Sequence, residues 1–95
     1  MTLSEFKSSL EKQQPPPVAV LLQALWHDGC GNWEKAHNIA QDVPSKDGSW
    51  IHAYLHRKEG DQFNAQYWYN RAGRVMPAYS LEKEWAEIVQ ALLNN

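Results

Sequence analysis

The chain holds a single cysteine, Cys30. No internal disulfide can form, and nothing points to an oxidising compartment. The thiol reads as a small apolar residue beside a turn. Positive charge is not in excess either: nine Lys and Arg against eleven Asp and Glu give a net charge of −2 and a pI near 6.0. General binding to DNA or RNA needs a strong basic surplus and is not expected, although aromatics interleave with basic residues between 50 and 74 as in some RNA binders. Long apolar runs are missing. The longest aliphatic stretch, residues 18–22, is far too short to span a bilayer. "MTLSEFKSSLEKQQ" lacks the apolar stretch of a signal peptide. No membrane association and a cytoplasmic location are the expectation. There is no phosphate-cradling glycine loop, since the glycines fall at helix turns, and no nucleophile elbow.

Large aromatics are plentiful. Five tryptophans stand at 26, 33, 50, 68 and 85 in a chain of 95 residues. A domain this small buries only about 60 to 65% of its unfolded surface, so a few bulky anchors must build the core. Residues 1–95 read as one domain.

Apolar spacing is helical throughout, and no strand-like alternation persists. Thr2 and Glu5 fit a capping box opening a helix over about 3–13, with Leu3, Phe6 and Leu10 on its apolar face. "PPP" at 15–17 ends it and suits the first turn of a second helix, about 16–29. Asn32 caps a third, about 33–43, whose apolar face is Trp33, Ala36, Ala40 and Val43. A fourth, about 47–59, ends at Gly60. Asp61 caps a fifth, about 62–73. Ser80 caps a sixth, with Leu81, Trp85, Ile88 and Leu92 in one stripe. Glu82, Glu84 and Glu87 then read as solvated charge near a helix N-terminus. The expected fold is all-α with about six short helices.

Shifted by 29 residues, the chain aligns with itself: Ala24 with Ala53, His27 with His56, Gly31 with Gly60, Ala36 with Ala65. Each unit is a helix with a small residue midway, a glycine turn, and a second helix with alanine in its first half. This resembles the tetratricopeptide repeat. Ala53, Gly60, Ala65, Tyr69, Ala72 and Pro77 match that family's small, turn, small, aromatic, small and proline positions. "GDQFNAQYWYNRAG" also resembles the second helix of Sel1-type repeats. "WIHAYLHRKEGD" with "NAQYWYNRAG" resembles a family of small bacterial proteins, a likeness that supplies no mechanism. The resemblance implies two units, about 18–43 and 47–74, within a repeat core of 16–77. Helices at 1–14 and 80–95 would cap it.

Two candidate sites follow. In tetratricopeptide repeats the first helix of each unit lines a concave groove. The resemblance therefore implies a binding face of Trp50, Tyr54, Arg57 and Lys58 in the second unit, where aromatics and an arginine suit recognition of a protein or peptide. Val18, Leu21, Leu25 and Asp28 line the first unit and look more like core. Such a chain is a non-enzymatic interaction module without a cofactor, and it requires Trp50 to be exposed. The alternative is a small metal-binding or catalytic protein. His52 and His56 lie one helical turn apart, Glu59 continues their line, and His37 sits on the preceding helix, with His27 as the repeat equivalent of His56. Imidazoles so placed suit a divalent transition metal such as zinc. The competing account is packing histidines, each with one hydrogen bond. Arg71 and Arg74 are also spaced to form an anion-binding pair, against the favoured account of a helix packed on both sides with arginine stems covering its aromatics, and a homodimer through exposed aromatics is a third reading.

Overall fold

Side-chain caps set five of the six helix starts. The computed structural model describes residues 1–94 and contains six helices: α1 (Leu3–Ser9), α2 (Val20–Gly29), α3 (Trp33–Gln41), α4 (Lys46–Lys58), α5 (Gln62–Ala72) and α6 (Leu81–Leu93). Thr2, Asn32, Ser45, Asp61 and Ser80 each accept a hydrogen bond from the backbone N–H three residues on. Thr2 and Glu5 complete the capping box in both directions. The fold is all-α, with no strand among the described residues. Asn95, the last residue of the expected capping helix, lies outside them. No helix there is long and apolar enough to cross a membrane.

Two boundaries differ from the sequence expectation. α1 ends at Ser9 because its last turn tightens: Leu10, Glu11 and Lys12 donate to the carbonyls three residues back. α2 starts at Val20 rather than near 16, after an extended Ala19 without a side-chain cap. Each proline disfavours helical torsions in the residue before it, so three in a row keep the segment extended.

The 29-residue shift reappears in the backbone. Cys30 N–H donates to Trp26 and Glu59 N–H to Leu55. Gly31 donates to Asp28 and Gly60 to Arg57, and Asn32 donates to His27 and Asp61 to His56. Gly31 and Gly60 sit at φ 86° and 90°, a left-handed conformation that glycine adopts without steric cost. Ala24, Ala53, Ala36 and Ala65 are all fully buried where the paired helices meet.

α4 is the central element. It packs on α5 and α3 and also meets α6 and α2. Residues 48–55 are buried without a break. Gly48 lets α4 begin there: a β-carbon at this position would stand 2.2 Å from the Val43 carbonyl oxygen. α6 lies across α1, α2 and α4. Trp85 anchors it by donating to the Leu25 carbonyl at 3.0 Å, and Phe6 packs at 5.7 Å from the Trp85 ring.

Candidate metal centre

His37 projects from α3, and His52 and His56 project from successive turns of α4. They converge: each offers a ring nitrogen within 4.8 Å of the others. His37 meets both α4 imidazoles edge-on, with ring centroids at 4.5 and 5.2 Å, while His52 and His56 stack at 4.8 Å. Two indoles bracket the group. Trp33 stacks on His37 at 4.9 Å, and Trp68 stacks on His52 at 4.0 Å. Trp33 is held in place by donating to the Leu55 carbonyl at 2.8 Å.

The protonation chemistry suits ligation. His56 Nδ1 lies 2.6 Å from a Glu59 carboxylate oxygen. A proton on Nδ1 donated to Glu59 leaves Nε2 with its lone pair, the carboxylate–histidine arrangement common behind metal ligands. His52 is 5% exposed; burial first, then the His37 and His56 charges, hold its pKa down at about 4. Burial and His56 also lower His37. Neutral imidazoles are the metal-binding form. Three nitrogens around a tetrahedral zinc stand roughly 3.3 Å apart, given Zn–N bonds of about 2.0 to 2.1 Å. Imidazole rotations within the bracket must supply the remaining closure.

His52, His56 and His37 thus come within 4.8 Å of one another, with Glu59 behind His56 rather than at the centre. Glu59 and Asp61 also approach His56 as a second group. Asp61 is engaged there as the cap of α5, accepting from the backbone and side-chain nitrogens of Asn64. His27 does not join: it packs edge-on to Trp26 at 5.1 Å on α2.

The expected groove face is arranged differently. Trp50 and Tyr54 are each 2% exposed, so the required exposure of Trp50 is not met. Trp50 Nε1 donates to Glu84 at 3.3 Å, and the Arg74 guanidinium lies 3.3 Å from the Trp50 ring centroid. Arg57 donates to Glu84 at 2.8 Å and to the Tyr79 carbonyl. Tyr54 and Lys58 each donate to Asp28 at 3.0 Å. The physical reason is that α6 brings Glu84 over Trp50 and Arg57, while α2 brings Asp28 to Tyr54 and Lys58. Glu84 is 1% exposed and also accepts from the Tyr69 hydroxyl at 2.6 and 2.8 Å. The solvated reading of Glu84 is therefore corrected. Its position was readable, since 81, 84, 85 and 88 share one helical face. Arg71 and Arg74 do not pair: Arg74 covers Trp50, while Arg71 lies against Tyr67 and Trp68.

No protein-family model, curated protein or solved structure matches this chain.

Proposed function

We propose that the chain is a small metal-binding protein whose ligands are His37, His52 and His56, with Glu59 orienting His56. The observation that carries this reading is the convergence of three imidazole nitrogens from two helices within 4.8 Å. Nitrogen-only ligation favours zinc, copper or nickel over magnesium or calcium, and three protein ligands leave a coordination position for an exogenous group. The test is native mass spectrometry and calorimetric titration of tag-free protein with zinc. One ion per chain is expected, with binding weakened at least tenfold in His37→Gln and in His56→Gln. Wild-type protein that takes up no zinc, copper or nickel at micromolar concentration sinks the reading.

A second reading, a protein or peptide interaction module, is supported by a cleft of about 880 Å³ between α1, α2, α4 and α6. Tyr54 and Lys58 line it, with Leu10, Leu81 and Trp85 as apolar floor. A partner captured by wild type and lost with Lys58→Glu supports this reading. Capture unaffected by that variant removes it.

A further inference from the structure

The seam that holds the three histidines continues into a cavity of about 350 Å³. Its walls come from the same three helices, one turn further on. α3 moves from His37 to Ala40 and Gln41, α4 from His52 back to Ser49 and Gly48, and α5 from Trp68 to Arg71. His52 lines the cavity and also belongs to the histidine group, so the two are contiguous.

The wall chemistry has one sign. Lys46 and Arg71 line it, and no Asp or Glu does; Asp47, in the first turn of α4, lies outside the wall. Arg71 has no carboxylate within ion-pair distance among the described residues. Its one side-chain hydrogen bond goes to the Tyr67 hydroxyl at 3.3 Å. The thirteen-residue helix α4 starts at this wall, adding the partial positive charge of its N-terminus. Two further polar side chains lie in this wall. His52 and Ser49 are 5% and 9% exposed, and neither side chain hydrogen-bonds within the described chain. Both line this cavity, and His52 also offers a ring nitrogen to the histidine group. The Trp68 indole, Val43 and Pro44 offer apolar wall beside these groups.

We propose that this cavity binds a small oxyanion, a carboxylate or a phosphate, that completes the coordination of the ion held by the three histidines, with Arg71 as its counter-charge. The inference rests on the metal-binding reading. It adds the ligand class and a residue, Arg71, outside the histidine set. About 350 Å³ is at the small end of ligand cavities, which limits the occupant to a compact acid.

Cobalt serves as the probe metal, because its visible spectrum reports the ligand set. Cobalt-loaded protein is titrated with inorganic phosphate and, separately, with acetate. Saturable change in the cobalt bands with at least one anion is expected. The apparent affinity for that anion should fall tenfold or more in Arg71→Ala, while cobalt affinity stays within twofold of wild type. Stronger response to phosphate assigns a phosphate ligand; stronger response to acetate assigns a carboxylate. Arg71 is exposed, so the variant is expected to fold. Cobalt binding with no response to either anion overturns the inference and leaves the metal reading standing. So does an equal response in Arg71→Ala. A failure of the protein to take up cobalt, zinc, copper or nickel overturns both.

Discussion

Two faces of α4 carry polar side chains into the interior, and they differ in what those side chains find there. On one face Trp50, Tyr54, Arg57 and Lys58 all donate to the carboxylates of Glu84 and Asp28. On the other, His52 and His56 meet His37, and within that group only His56 contacts a carboxylate, that of Glu59. The first face is complete: every donor has an acceptor supplied by the chain. The second gathers three imidazoles, of which only His56 has a carboxylate against it. Buried polar groups are normally satisfied within the fold. A face that satisfies itself reads as structure, and one that concentrates acceptors reads as a place for a cation.

The largest test of that contrast is Glu84→Ala. It removes the shared acceptor of Trp50, Arg57 and Tyr69 and leaves a partly buried cation without its carboxylate, at a cost of about 3 kcal/mol. Chemical denaturation should show the chain partly or wholly unfolded; a loss below about 1 kcal/mol would mean that the network is not structural. Next is His37→Gln. Zinc at about 100 times its dissociation constant should stabilise wild type by about 2.7 kcal/mol and stabilise this variant little. Equal zinc-induced shifts in melting temperature would erase the difference between the faces. Glu59→Gln is milder, because it leaves the three ligands in place and disturbs only the orientation of His56. Metal affinity should fall about tenfold to 100-fold, by titration.

Acidification separates the faces in another way. His52 has a pKa of about 4 in the folded chain and, like any free imidazole, about 6.5 once unfolded. Between these values the unfolded chain binds the extra proton. The His52 contribution is therefore fully present above about pH 6.5 and is lost as pH falls toward 4. Denaturation of metal-free protein across that window should show the decline, with a shallower slope in His52→Gln; parallel curves would exclude His52 as its source. The smallest effect is expected from Lys58→Ala. That side chain is 38% exposed, and Asp28 keeps its bond from Tyr54, so the loss should be about 1 kcal/mol or less.

The helices were legible because their caps are local. Thr2, Asn32, Asp61 and Ser80 act within three residues of themselves, and the turns at Gly31 and Gly60 need only one permissive residue. The pairing of His52 with His56 was legible for the same reason, as one helical turn. His37 joined them through the repeat, which makes α3 the neighbour of α4. What covers a face is not local. Periodicity placed Trp50, Tyr54 and Arg57 on one side of α4, but nothing near them in sequence says that α6 lies there with Glu84, 34 residues beyond Trp50. The indoles of Trp33 and Trp68 were equally remote from the histidines they bracket, and only tertiary packing reveals them as walls.

The separation of Glu84 from its donors has a consequence for synthesis of the chain. Trp50, Arg57 and Tyr69 leave the ribosome before their common acceptor does. Until α6 follows, α4 and α5 hold an arginine and two aromatic donors without their carboxylate. A single carboxylate then ties α6 to α4 and α5.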